Sequence, residues 1–270
     1  SALYAGAVYQ AGFILDVQEN PQRCNYYAEA QDLARDRFSD IYLSAQLGLI
    51  TVCNQHNTDI SVKLGKLYAL LEQFLEIGDV AAIAHIHNNI GLLYGSIGQN
   101  ELAAEQYLKS YHMGLEVYET SNQLATLISA ISANMASGDF VAAKENIEIF
   151  RKANLGVNTP LTNTWLHYAE SRYYFRIEEY ENLRNSLLKL HFYLPKVSSK
   201  IIHRNAKLYA IALCIHDDDA QCVQSFLAEQ EALSNSEHKK FLAKRDYLWV
   251  MTHAYFYTGN LKQAQRTFRR

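Results

Sequence analysis

Apolar residues recur at three- and four-residue spacing along nearly the whole chain, broken by short polar or glycine-containing stretches, and this pattern predicts helices throughout. The first helix runs from Leu3 to Val17. Asn20-Pro21 then offers an N-cap and a proline at the first helical position, so a second helix is expected from Pro21 to about Arg37. Ser39-Asp40 opens a third, which continues through Ala45, Gly48 and Ile50 until the polar stretch Asn54 to Asp59 breaks it. A fourth spans Ile60 to Ile77 and stops at Gly78-Asp79.

The clearest unit lies between Asn89 and Tyr111, where two apolar-periodic helices fold around Gly98, Gln99 and Asn100. Gly91 and Ala103 mark the place where these helices approach most closely. The same turn signal returns forty residues later at Gly138-Asp139-Phe140, with Ala143 and Ile147 in the roles of Ala103 and Tyr107. At Glu179-Tyr180 the hairpin persists with Glu178 in place of glycine and Leu183 in place of the small residue, which implies a wider contact. A further hairpin turns at His216 to Asp219, with Cys222 read as its small residue and Phe226 as its aromatic. The last turns at Thr258 to Leu261, with Ala264 and Phe268.

Gly91, Tyr94, Gly98, Ala103 and Tyr107 stand at the spacings of the tetratricopeptide repeat, and the chain resembles that family over nearly its whole length. The resemblance implies an all-α fold, a right-handed α-solenoid of antiparallel helix hairpins forming a superhelix with a concave groove. The repeat of about forty residues is longer than the family's usual ~34, so helices or loops must be extended. About seven hairpins are expected in one domain over residues 1–270, with the breaker-rich stretch Asn154 to Pro160 as the place for a bend. The resemblance also implies an interaction scaffold rather than an enzyme.

Composition narrows the partners. The formal net charge is -3 and no basic run occurs, so phosphate neutralisation gives no reason to expect nucleic acid. No apolar run reaches the ~18 residues of a membrane span, so this segment is expected to make no membrane contact. The sequence opens within an apparent helix at Leu3 and stops at Arg269-Arg270 with another under way, which suggests a fragment of a longer protein. The 19 tyrosines suit packing between helices, where the ring is buried and the hydroxyl finds a polar partner.

The four cysteines fall symmetrically about turns. Cys24 and Cys53 flank the Phe38-Ser39 turn, and Cys214 and Cys222 flank the acidic turn at Asp218. Residues equidistant from the turn of an antiparallel helix pair face each other, so each pair is placed for a disulfide. Two readings stay open, disulfides in an oxidising compartment or buried small apolar side chains. Neither pair has the short spacing of a zinc knuckle, and no metal or cofactor is expected.

Candidate chemistry is sparse. His85 and His87 point apart on one helix, and His112, His167, His191, His203, His216, His238 and His253 are scattered. Asp217, Asp218 and Asp219 read as a solvated turn with helix N-capping. No glycine-rich phosphate loop or nucleophilic triad motif is recognisable, so no catalytic residue is assigned. In the tetratricopeptide arrangement the first helix of each hairpin lines the groove. Projecting that onto this chain places His85, Asn88, Trp165, Tyr168, Arg172, Phe175, Arg176, Arg204, Lys207, Trp249, His253 and Tyr257 on the concave face. Aromatics with arginine and lysine suit a protein or peptide partner, acidic in character. The alternative is that several of these side chains pair internally with Glu170, Asp246 or neighbouring helices.

The resulting expectation is a non-catalytic, periplasmic sensor or interaction region of a bacterial signal-transduction protein, similar to the arrays found in diguanylate cyclases of the GGDEF type. A cytoplasmic adaptor, or the regulatory domain of a transcription regulator, is the alternative, and a homodimer is left open.

Overall fold

The structure, a computed structural model, describes residues 1–35, 38–53, 59–231 and 244–269. Among these it contains fourteen α-helices and no strand, so the chain is all-α. Two compact units divide it, Ser1–Gly138 and Asp139–Arg270. The first holds α1 (Ala2–Val17), α2 (Arg23–Ala34), α3 (Ser39–Gly48), α4 (Ile60–Ile77), α5 (Val80–Ser96), α6 (Asn100–Gly114) and α7 (Thr120–Ser137). The second holds α8 (Phe140–Val157), α9 (Pro160–Arg176), α10 (Tyr180–Tyr193), α11 (Lys200–His216), α12 (Ala220–Glu231), α13 (Lys244–Tyr257) and α14 (Leu261–Phe268). No helix among the described residues is long and apolar enough to cross a membrane.

One local device recurs at the turns. Gly98, Gly138, Glu178, Asp218 and Gly259 all have positive φ, and each follows the last by forty or forty-one residues. At four of them the next residue's N–H closes the helix end onto the carbonyl five positions back, Gln99 to Tyr94, Glu179 to Tyr174, Asp219 to Cys214 and Asn260 to Tyr255. This satisfies carbonyls that the end of a helix leaves without partners. Where the next residue is Asp or Asn, its side chain then caps the following helix: Asp139 accepts from Ala142 N–H, Asp219 from Cys222 N–H and Asn260 from Gln263 N–H. A left-handed residue followed by a capping residue therefore stops one helix and starts the next within three positions.

Five residues beyond each left-handed position sits a fully or nearly buried side chain, Ala103, Ala143, Leu183, Val223 and Ala264. That register corrects the sequence reading of the acidic hairpin: its inward residue is Val223, and Cys222 is one position off that line, with Leu227 rather than Phe226 in the place of Tyr107. Gly91 meets Tyr107 as expected, since a Cβ there would lie 2.9 Å from the tyrosine ring. Ala103 instead faces Gly95, whose added Cβ would sit 3.8 Å from its methyl.

In the first unit, Leu43, Leu67, Leu70, Phe74, Ile83, Ile86 and Ile90 join α3, α4 and α5 in one core, and Ala103, Ala104, Tyr107 and Ala130 join α6 to α7. In the second, Phe175, Leu183, Leu187, Leu190, Leu208, Tyr209, Val223 and Met251 form a single core. Burying each large apolar side chain contributes on the order of 1.5–3 kcal/mol, so no hairpin is self-sufficient without its neighbours.

Other expectations shift at element ends. The second helix starts at Arg23, not Pro21: Asn20 accepts a hydrogen bond from Gln22 N–H and closes a turn before the helix begins. The third helix passes into a π-helical turn over Leu49–Cys53. The expected helix end at Arg37, the break over 54–58, His238 and Arg270 lie outside the described residues. The breaker-rich stretch 154–160 sits inside the second unit as a hydrogen-bonded helix junction. There Asn154 donates to Asn163, Asn163 donates to Asn158, and Thr159 and Thr162 form a capping box.

Of the two readings left open for the cysteines, the structure has the disulfides, in the pairs that symmetry about the turns had set opposite each other. Cys24 and Cys53 have Cα atoms 5.6 Å apart and tie α2 to the π-helical turn. Cys214 and Cys222, 6.0 Å apart, tie α11 to α12 across one turn. Cys214 stands where Tyr94, Tyr174 and Tyr255 stand in other hairpins, four residues before the left-handed position.

Candidate functional site

The residues assigned to a groove converge in the second unit on α9, α11 and α13. Arg172 and Arg176 are one helical turn apart on α9 and so share a face. Both reach Asp246 at the start of α13: Arg172 Nε lies 3.3 Å from one carboxylate oxygen and Arg176 Nη1 2.9 Å from the other. Asp246 is only 1% exposed. Tyr209 of α11, fully buried, donates its hydroxyl to the same carboxylate at 3.2 Å. Burial keeps the Tyr209 hydroxyl protonated, raising it well above its ordinary range, with Tyr168 and Asp246 adding to the shift. For Arg172, burial opposes the charge, but Tyr209, Tyr168 and Asp246 outweigh it and hold the guanidinium charged.

These contacts match the alternative of internal pairing. Arg172 and Arg176 compensate a buried carboxylate, and Phe175 belongs to the core, packed 5.1 Å from both the Tyr209 and the Trp249 rings. Two guanidinium groups nevertheless face a single carboxylate, leaving one net positive charge within the cluster. Tyr168 accepts a hydrogen bond from Asn205 Nδ2 at 2.8 Å, while Asn205 Oδ1 is buried with no partner among the described residues.

The remaining groove residues have separate fates. Trp165 packs against the core of this unit, partly buried. Trp249 stacks on the exposed His253 ring at 3.8 Å, and the His253 Nδ1 proton goes to the Trp249 carbonyl. Lys207 pairs with Glu229 at 2.8 Å on the surface, and Arg204 is half-buried on the same helix. Tyr257 is drawn to the acidic turn, where it donates to Asp218 at 2.6 Å. In the first unit, His85 is exposed, and His87, partly buried and bonded to Gln106 at 2.7 Å, is pushed below the ordinary histidine range by burial.

The acidic turn is more than a solvated cap, because its three carboxylates have three different partners. Both oxygens of Asp217 accept from Nη2 of Arg184 in the preceding hairpin, Asp218 holds Tyr257 of the following one, and Asp219 caps its own helix. The Cys214–Cys222 disulfide fixes the turn that presents them. A second polar cluster surrounds Glu170, which accepts from Arg151 at 2.7 Å and from His167 at 2.8 Å, while Arg151 also pairs with Glu148. Burial pushes the Glu170 carboxyl up, but the His167 and Arg151 bonds pull it further down, to a value below its ordinary one.

Sequence reasoning missed Tyr209 and Asn205, which lie one helical turn apart on α11. The arginine spacing at 172 and 176 announced a shared face, and Asp246 stood among the internal partners the sequence offered as the alternative to an open groove. No protein-family model matches this chain, and no curated protein matches it either.

Proposed function

We propose that the chain is a non-catalytic binding domain, a right-handed α-solenoid similar to tetratricopeptide arrays, serving as the sensor or interaction region of a bacterial signal-transduction protein. The observation that carries this reading is the forty-residue recurrence of left-handed turn positions from Gly98 to Gly259. Such repetition is the mark of stacked supersecondary units, whose role is to present extended surface. Two disulfides support an oxidising compartment, the periplasm in this reading.

The ligand in this reading is an acidic protein or peptide segment engaging α9, α11 and α13, the helices that carry the Arg172–Arg176–Asp246 cluster, Lys207 and the Trp249–His253 stack. Arg172 is unsuitable as a binding probe because its loss strands Asp246. The test is fluorescence anisotropy with short labelled Glu-rich and Lys-rich peptides of equal length. Preferential binding of the Glu-rich peptide, weakened by Lys207→Ala with His253→Ala, is expected. Equal affinity for both peptides would retire the acidic-ligand reading.

A further inference from the structure

The first unit contains a cleft of about 380 Å³ that none of the groove residues touches. Its walls are α2, the α3 end with its π-helical turn, and α4. Leu49, Ile50, Ala69 and Leu70 give it apolar lining, and Gln31, Gln46, Lys66 and Gln73 give it polar groups. This volume falls within the ~300–1,000 Å³ of small-molecule sites, although half of the lining residues here are polar where such sites are mostly apolar.

The hydrogen bonds already made decide what the cleft can still offer. Gln46 spends its Nε2 on the Tyr42 hydroxyl at 3.0 Å, and Gln73 spends its Nε2 on the Ala69 carbonyl at 3.2 Å. Each side chain therefore keeps an unspent Oε1 acceptor and one further amide N–H. Lys66 supplies a positive charge that meets no carboxylate among the described residues, and Gln31 adds an amide that can donate or accept. Two acceptors, one cation and one ambivalent amide complement a molecule that carries donor N–H groups and a carboxylate together.

The wall is also held in an unusual shape. The chain widens into the π form over Leu49–Cys53, Thr51 Oγ1 donates to the Leu47 carbonyl that the α pattern would have used, and Cys53 is locked to Cys24 on α2. Wide turns of this kind interrupt the regular ladder, and here the interruption sits where Leu49 and Ile50 face the cleft.

We infer that this cleft binds a small zwitterion of the free amino-acid class, its carboxylate on Lys66 and its ammonium on the Gln46 and Gln73 carbonyl oxygens. This rests on the binding-domain reading only in that the chain acts by recognition, and it assigns a second site in a different unit from the acidic-peptide surface. Because the Cys24–Cys53 bond fixes one wall, binding also depends on that disulfide.

The experiment is isothermal titration of the full chain with each of the common free L-amino acids, followed by the amidated and N-acetylated forms of the best binder. One-to-one binding is expected. Lys66→Ala and amidation each weaken it by about ten- to hundred-fold, the worth of one charge-assisted hydrogen bond. N-acetylation and Gln73→Leu weaken it too, Lys207→Ala leaves it unchanged, and Cys24→Ser with Cys53→Ser lowers it. Lys66 and Gln73 are exposed, so an unchanged thermal melt separates lost binding from lost folding. Absence of binding by every amino acid, or binding that survives Lys66→Ala with Gln73→Leu, overturns the proposal. Glu-rich peptide binding without amino-acid binding would overturn this inference while sparing the acidic-ligand reading, and the reverse result would do the opposite.

Discussion

The α5–α6 hairpin of the first unit and the α9–α11–α13 face of the second hold together by opposite means. In the hairpin, Gly91 lets the Tyr107 ring lie against the opposing backbone, a contact between helices joined by a single short turn. On the α9–α11–α13 face, Asp246 is buried against arginines 70 and 74 residues away in sequence, and Tyr209 donates to it as well. The first is shape complementarity and the second is charge compensation. The difference teaches that a local repeat code can build the units while long-range electrostatics sets how non-adjacent helices of the second unit meet.

Removing the carboxylate should produce the largest effect. Asp246→Ala leaves Arg172 and Arg176 nearly buried without a counter-charge, and a loss of about 3–5 kcal/mol in urea-unfolding free energy is expected. A loss no larger than that of a surface substitution would erase the distinction between the two regions.

The disulfides sharpen the contrast by loop length. Cys24→Ser with Cys53→Ser opens a sequence separation of 29, and chain-entropy reasoning gives about 3.6 kcal/mol. Cys214→Ser with Cys222→Ser opens a separation of 8, for about 2.6 kcal/mol. Denaturant midpoints should therefore rank the first pair as the more costly loss. A larger loss from the second pair would mean that its grip on the acidic turn, with the Arg184 and Tyr257 contacts, outweighs the loop term.

Gly91→Ala tests the shape side. The added methyl would meet the Tyr107 ring at 2.9 Å, and overpacking of about 1–3 kcal/mol exceeds the ~1 kcal/mol that alanine gains in a helix. Net destabilisation is expected in thermal melts, and it should vanish in a Tyr107→Leu background. Persistence of the loss in that background would mean that backbone, not the ring, sets the close approach.

The smallest effect concerns the turn code itself. Glu178 holds a left-handed φ of 60°, a conformation that costs a non-glycine residue about 1–2 kcal/mol. Glycine relieves this but adds disorder to the unfolded chain, so Glu178→Gly should stabilise by only about 0.5 kcal/mol in the same melts. Destabilisation would show that the glutamate side chain contributes something the backbone geometry does not reveal.

Much of this architecture was legible in the sequence because its determinants are local. Gly98, Gly138 and Gly259 declare left-handed turns, and Asp139 and Asn260 declare the caps that follow. The symmetry of the cysteines about two turns gave which cysteines face each other, while leaving open whether they are oxidised. Legibility failed where identity and geometry parted: Asp218 took the glycine's conformation without being glycine, and aligning on the small Cys222 shifted that hairpin by one residue from Val223. In the second unit helical spacing put Arg172 and Arg176 on one face but could not choose between an open groove and the pairing with Asp246, because that choice depends on how distant helices pack. Tyr257, which the same spacing projected onto the groove, donates to Asp218 on another hairpin, a partner no local pattern indicates.

A register-preserving deletion tests the repeat account most directly. Excising residues 99–138 removes one forty-residue unit and joins Gly98 to Asp139, which recreates a left-handed glycine followed by a capping aspartate. Circular dichroism of the shortened chain should show unchanged helicity per residue and a cooperative melt, whereas excising only residues 99–118 should abolish cooperativity. Loss of folding in the forty-residue deletion, with no difference between the two, would contradict an array built from forty-residue hairpins.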